Sequence, residues 1–127
     1  MFQTITIAAL CVNLEHICRI FFSNPDSIVL NSGMAFSLLQ DMPMLSSALS
    51  YVALATILAV FFLADLNGGE RLGYSMILGG ALSNCAEKFF LGYVIDWIPL
   101  PLIPLTINIA DVEISLGVMI AFLSFER

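Results

Sequence analysis

The amino-acid sequence predicts an all-α integral membrane protein folded as a bundle of four transmembrane helices. Of its 127 residues, 60% are hydrophobic and only 11% are charged. The mean hydropathy of +0.99 lies far above that of soluble globular proteins. Four apolar runs are each close to the roughly 20 residues that a helix needs to cross the hydrocarbon core of a bilayer. Charged or turn-forming residues bound each of these runs.

The apolar runs predict four helices in order, at residues 2–22, 43–64, 72–94 and 108–125. The first run lacks a basic N-terminal region and a small-residue cleavage site, and Glu15 and Arg19 interrupt it, so we expect a retained helix rather than a signal peptide. The second run carries no charge, only serines and a threonine, which membrane helices tolerate. The polar segment 65–71, DLNGGER, predicts a tight loop between the second and third helices.

The two longer connections, residues 23–42 and 95–107, must share one face because four spans return both termini to the other. The segment DWIPLPLIP is too rich in proline for a helix, so we expect it at the membrane interface. Tyr93 and Trp97 would then form part of an aromatic belt. The few basic residues, divided between the two sides, do not orient the bundle.

Polar side chains concentrate at the end of the bundle that carries these connections. They are Glu15, Arg19, Glu87, Lys88, Asp96, Asn108, Asp111 and Glu113. An ionisable group at membrane depth costs about 2.5–3.5 kcal/mol on insertion scales, so each one requires a partner or a function. Glu15 and Arg19 are four residues apart and predict an ion pair within one helix. Lys88 can reach the interface by extending along Glu87 toward water.

Asp96 and Asp111 are carboxylates delivered to one membrane surface by different segments. Asn108 and Asp111 alone could be explained as the cap and first-turn acid of the fourth helix. A second carboxylate at the same level suggests acid–base chemistry, since two carboxyl groups in one site do not both ionise readily and can share a proton. Glu113, two residues after Asp111, is expected to point elsewhere on the helix.

Other classes of site find less support. A net charge of −6 disfavours binding to nucleic acid. The three cysteines lie in apolar runs without the short spacings of metal or redox sites, so we expect no metal and no cofactor. His16 has no sequence relation to a serine that would indicate a catalytic triad. A small transporter or channel subunit that relays protons or cations, or a membrane scaffold, remains an alternative at this point.

Three segments resemble the signature boxes of the lipoprotein signal peptidases, also called signal peptidase II. They are NSGMAFSLL at 31–39, GGALSNCAEKFFLGYVIDWI at 79–98 and INIADVEISLG at 107–117. A fainter match, LEHICR at 14–19, stands where the family usually has Leu-Asp-Gln-x-Thr-Lys. The boxes follow in the family's order and together cover most of the chain.

The resemblance implies a membrane-embedded aspartyl protease that cuts a prolipoprotein just before a diacylglyceryl-modified cysteine, with Asp96 and Asp111 as its dyad. It implies a set of supporting residues, namely Asn31, Gly33, Asn84, Glu87, Lys88, Asn108, Ala110, Glu15 and Arg19. It also implies a small β-cradle and an amphipathic helix, which we map onto residues 23–42, and an active site on the extracytoplasmic face of the bacterial inner membrane. We expect one membrane domain, residues 1–127, that works as a monomer in contact with lipid.

Some residues depart from the family pattern and predict a divergent and short member, or an inactive relative. Glu87 and Lys88 replace the family's Asp-Arg, and a lysine cannot offer the planar, bidentate fork of an arginine. We expect Asp111, near a helix N-terminus, to act as the base and Asp96, beside the apolar loop, to hold the proton.

Overall fold

Four helices and four short strands make up the part of the chain that the structure, a computed structural model, describes, which is residues 2–33 and 39–125. The helices are α1 (Phe2–Phe22), α2 (Pro43–Leu63), α3 (Gly68–Leu91) and α4 (Ile109–Phe125). A single 3-10 turn, Pro25–Ser27, follows α1. The predicted helices are therefore present; α1 has the predicted ends, and the ends of the other helices coincide with the prediction or are displaced by at most four residues.

Helix α3 begins inside the segment that was predicted to be a loop, and that prediction was wrong over residues 68–71. The side chain of Asn67 accepts a hydrogen bond from the backbone N–H of Glu70, and the Glu70 side chain accepts one from the N–H of Asn67. This reciprocal capping box satisfies two N–H groups at the helix start and extends the helix through the glycines. At the other end, Gly92 adopts a left-handed φ of 83° and terminates α3.

Two small antiparallel sheets lie in the connections. Strand β1 (Val29–Asn31) pairs with β2 (Val94–Asp96), and β3 (Ile98–Pro99) pairs with β4 (Thr106–Ile107). The cradle thus draws its strands from both connections rather than from residues 23–42 alone, because each short strand needs a partner for its backbone groups. The amphipathic helix expected within 23–42 falls partly on residues 34–38, which lie outside the described residues.

Helix α3 packs closely against α4. A Cβ atom built on Gly80 would lie 2.5 Å from the carbonyl oxygen of Ala110, and one built on Gly73 would lie 2.6 Å from the carbonyl oxygen of Gly117. Small residues at such contacts let two helix backbones approach, as is common in membrane bundles. Ala110 itself is fully buried. The first turn of α4, which carries Asp111, is therefore fixed against the middle of α3.

Among the described helices, α2 alone meets the length and hydropathy expected of a membrane-crossing helix, with a mean hydropathy of 2.0. Only 11% of its most apolar segment is buried inside the protein. Helix α4 has 17 residues, fewer than most spanning helices. The structure thus supports a mostly helical chain with two small sheets, and the four-span arrangement stays a prediction.

We expect Gly80→Ala to lower the free energy of unfolding by about 1–3 kcal/mol, because the added methyl group overlaps the backbone of Ala110. Gly68→Ala is the matched control, since a Cβ on Gly68 meets no atom within 4 Å. Thermal unfolding of both variants in detergent measures the effect. Equal melting temperatures for the two variants would contradict the close packing of α3 on α4.

Candidate active site

Asp96 lies at the end of strand β2, opposite Val29 of β1, and its side chain is 3% exposed. One carboxylate oxygen accepts a hydrogen bond from the side-chain amide of Asn31 at 2.9 Å. The other accepts one from the side-chain amide of Asn108, also at 2.9 Å. A buried carboxylate needs such donors because it has left its water of hydration behind. Both oxygens of Asp96 are therefore satisfied by neutral amides.

Asp111 lies in the first turn of α4, and it and Asn108 cap that helix reciprocally. The Asn108 side-chain oxygen accepts from the backbone N–H of Asp111 at 2.9 Å, and an Asp111 oxygen accepts from the backbone N–H of Asn108 at 3.3 Å. The capping role considered from the sequence is thus present. Capping is not the only role of Asp111, because its other carboxylate oxygen accepts a hydrogen bond from the side-chain amide of Asn84 at 3.0 Å.

Asn84 and Asn108 connect the two aspartates. The amide nitrogen of Asn108 donates to the side-chain oxygen of Asn84 at 3.1 Å as well as to Asp96. Asn84 in turn donates to Asp111. An amide carries two N–H donors, so one Asn108 side chain can serve both acceptors. Strand β2, helix α3 and helix α4 therefore meet in one network that contains both carboxylates.

Burial raises the pKa of Asp96 to about 6. Loss of hydration is the main cause, since it disfavours the charged form of a carboxyl group. The negative charges of Asp111 and Glu15 raise the pKa further, while the hydrogen bonds from Asn31 and Asn108 oppose the shift. Asp96 can consequently hold or release a proton near neutral pH, which a solvated aspartate cannot do.

Both aspartates line one cavity with a volume of about 520 Å³. Asn31, Gly33 and Asn84, which the resemblance names as supporting residues, also line this cavity. Other parts of the lining are aliphatic, and they include Leu100, Leu105, Ile107, Val112, Ile114 and Leu116. The backbone N–H of Gly33 donates to the Asn31 side-chain oxygen at 2.9 Å, which orients the amide toward Asp96. The cavity is therefore lined by both polar and aliphatic side chains.

Lys88 also lines the cavity, and two serines of α2 hold its ammonium group. Its Nζ donates to the hydroxyl of Ser46 at 2.8 Å and to that of Ser50 at 3.1 Å. Lys88 is 6% exposed, so the sequence-based view of a side chain extending to water was wrong. The two serines were treated only as tolerated polar residues. Their spacing of four residues, which places both on one helix face, is the signal that could have marked them.

The ion pair predicted between Glu15 and Arg19 is not formed. Arg19 pairs instead with Glu87 of α3, and its other terminal nitrogen lies 3.1 Å from His16 Nδ1. Glu15, 2% exposed, accepts hydrogen bonds from the indole N–H of Trp97 at 2.9 Å and from the backbone N–H of Ala110 at 3.2 Å. Contacts with residues of other elements replace the local pair because a buried carboxylate gains more from enclosed donors than from a surface partner.

The burial of Trp97 and Glu113 could not be predicted from their positions in the sequence. Trp97 is 6% exposed, so its assignment to an aromatic belt was wrong; its indole is enclosed and bonded to Glu15. Glu113 does point away from the cavity, as expected, but it is buried. Neither of its carboxyl oxygens has a hydrogen-bond partner of ordinary geometry within the described part of the chain, and the group that interacts with it is the thiol of Cys11 on α1.

Comparison with known proteins identifies close counterparts of this fold and sequence. The family model described as signal peptidase (SPase) II matches residues 7–126. A lipoprotein signal peptidase of Nostoc punctiforme is 39% identical over 102 residues, which cover 78% of this chain and 65% of the relative. One of Acaryochloris marina is 40% identical over 90 residues, which cover 70% of this chain and 54% of the relative. The chain thus spans between half and two thirds of the length of these relatives.

A solved structure described as a bacterial membrane enzyme, obtained by the in meso method at 2.3 Å resolution, superposes with a TM-score of 0.81. The alignment covers 98% of this chain and 88% of the other, at 19% sequence identity. At this level of sequence identity, the similarity shows that the two proteins share a fold. The helices and small sheets described above therefore recur in a membrane enzyme.

Glu15 and Glu113, two of the three buried glutamates among the described residues, provide a matched pair for a stability test. We expect Glu113→Leu to raise the melting temperature, because it removes a buried carboxyl group whose interaction with the thiol of Cys11, a weak donor, does not replace its hydration. We expect Glu15→Leu to lower the free energy of unfolding by about 1–3 kcal/mol, because it leaves the N–H groups of Trp97 and Ala110 without an acceptor. Thermal unfolding in detergent gives both values. A shift of the same sign in both variants would contradict this distinction.

Proposed function

Because the chain belongs to the signal peptidase II family, we propose that it is a membrane aspartyl endopeptidase that removes the signal peptide from prolipoproteins. The scissile bond lies just before a diacylglyceryl-modified cysteine. One observation carries the proposal: Asp96 and Asp111, from separate segments, line the same cavity and are joined through Asn108 and Asn84. Two carboxyl groups that share one site can activate a water molecule directly, as they do in aspartic proteases.

Asp111 acts as the base in this mechanism. Its carboxylate takes a proton from a water molecule, whose oxygen attacks the carbonyl carbon of the scissile peptide bond. The N-terminal end of α4 favours the negative charge of Asp111. Asp96, with a pKa near 6, donates its proton to the carbonyl oxygen. Collapse of the tetrahedral intermediate returns one hydroxyl proton to Asp96 and breaks the C–N bond as the new amine takes the proton held by Asp111. The pair, which titrates as a unit, thereby regains its starting state.

The substrate is held by the apolar and cationic parts of the cavity. Leu100, Leu105 and Ile114 offer surface to a hydrophobic signal peptide or to acyl chains. At the tip of the β3–β4 hairpin, Leu102 is 93% exposed, which suits contact with lipid at the interface. Lys88 faces the same cavity and can interact with the polar part of the lipidated cysteine. An acyl anchor would bring the scissile bond to the depth of the aspartates.

The proposed placement in the membrane is supported by the distribution of polar and apolar residues along the helices. All four helices cross the bacterial inner membrane, the single domain covers residues 1–127, and the dyad lies toward the extracytoplasmic face. The charge-free α2 and the confinement of the buried acid network to one end of the bundle support this arrangement. That confinement also disfavours a proton or cation relay, which would need polar groups spaced through the bilayer. The protein works as a monomer in this proposal.

Replacing either aspartate by asparagine should reduce cleavage by roughly 10²–10⁴-fold, the usual contribution of a positioned acid or base. Asp65→Asn is the control, because Asp65 is exposed in the turn before α3. The assay follows the gel shift of a diacylglyceryl-modified preprolipoprotein incubated with the detergent-solubilised protein. Normal cleavage by both Asp96→Asn and Asp111→Asn would exclude the dyad, and an inactive wild type would identify a non-catalytic relative.

The rate should fall as the pH rises through about 6, because the protonated form of Asp96 is then lost. Asn31→Leu removes a hydrogen bond that favours the ionised form of Asp96, so the pKa of Asp96 should rise and the fall in kcat/KM should move to higher pH. Asn13→Leu, on the exposed side of α1, should leave the profile in place. A fall at lower pH in Asn31→Leu would contradict the role given to Asp96.

A further inference from the structure

The residues on either side of Asp96 are both held by glutamates. The backbone N–H of Ile95 donates to Glu87 at 2.9 Å, and the indole N–H of Trp97 donates to Glu15 at 2.9 Å. Because the residues before and after Asp96 are bonded to different helices, the direction in which its side chain can point is restricted. Glu87 belongs to α3 and is paired with Arg19 of α1. Both attachments therefore lead back to helix α1.

Glu15 has a second attachment, on the other half of the dyad. Its remaining carboxylate oxygen accepts from the backbone N–H of Ala110 at 3.2 Å, in the residue directly before Asp111. One carboxylate thus contacts the residue after the first aspartate and the residue before the second. These two contacts span 82 and 95 residues of the sequence.

Helix α1 contributes no lining to the cavity among its described side chains. Glu15 is 2% exposed, and both of its oxygens are occupied by the donors named above. It can therefore neither contact substrate nor exchange protons with water in the cavity. Apart from the effect of its charge on the pKa of Asp96, its influence on the chemistry acts through the placement of the two segments.

We propose that Glu15 is a positioning residue whose single carboxylate sets the separation and orientation of Asp96 and Asp111 from outside the cavity. This inference rests on the proposed proteolytic function. A carboxylate suits the role because it offers two acceptor oxygens to two N–H donors. A glutamine in its place has one acceptor oxygen, so its NH₂ group would oppose either Trp97 or Ala110. The side chain would then hold one of the two segments and release the other.

The test compares Glu15→Gln, Glu15→Asp and Trp97→Phe with wild type in steady-state cleavage of a diacylglyceryl-modified preprolipoprotein. Because small displacements of catalytic groups are costly, Glu15→Gln should lower kcat by about 10- to 100-fold while KM changes by less than about twofold. Glu15→Asp retains two acceptor oxygens and should keep more of the wild-type kcat than Glu15→Gln. Asn13→Ala, on the exposed side of α1, is the matched control and should behave as wild type.

Trp97→Phe removes one of the two bonds to Glu15 and should lower kcat less than Glu15→Gln does. A wild-type kcat in Glu15→Gln, or a kcat for Glu15→Asp below that of Glu15→Gln, would overturn the inference. If Glu15→Gln does not fold, an unchanged kcat in Trp97→Phe overturns it and a reduced kcat with unchanged KM supports it.

Two further results separate this inference from the function on which it rests. If wild type cleaves, Asp96→Asn does not, and Glu15→Gln equals wild type, the inference alone fails. If wild type does not cleave, or if Asp96→Asn cleaves normally, the proposed function fails and the inference fails with it. Melting temperatures of all variants identify any loss of fold.

Discussion

The side chain of Asn108 is the interaction on which the candidate active site depends. It is 1% exposed, its amide nitrogen donates to Asp96 and to Asn84, and its oxygen accepts from the backbone of Asp111. A buried amide with unpaired groups would destabilise the fold, so strand β2 and helices α3 and α4 are held where all these bonds close together. The same contacts that stabilise the end of the bundle therefore orient both carboxylates toward one cavity.

The choice of donors has a chemical consequence. The chain has ten acidic residues and four basic ones, so cations cannot pair with most of its carboxylates. Arg19 is committed to Glu87, and Lys88 is bonded to two serines of α2. Asp96 is satisfied by neutral amides instead. An adjacent arginine would lower its pKa and fix it as an anion, whereas amides in a buried site leave its pKa near 6 and its proton exchangeable.

Features that depend on neighbouring residues, such as helices and motifs, could be predicted from the sequence. The partners of buried side chains could not, because those partners are distant in the sequence. Hydropathy located the helices, and the motifs led to the family that the comparison confirms. The Asn67 capping box was visible in the sequence but was read as loop because of its glycines. The spacing of Glu15 and Arg19 correctly placed both on one face of α1, yet it predicted the wrong partners. Spacing records which residues are near each other on a helix, not which neighbouring helix offers better donors.

By itself, the sequence determined that the chain is a set of apolar helices with its acids and amides at one end, because helix formation and hydropathy depend on neighbouring residues. Only the tertiary structure decided which donor meets which acceptor. The indole of Trp97 and the backbone of Ala110 lie 82 and 95 residues from Glu15 and meet it only after α1, α3 and α4 pack together. Burial of a carboxylate makes such contacts necessary, but the path of the backbone selects the groups that supply them.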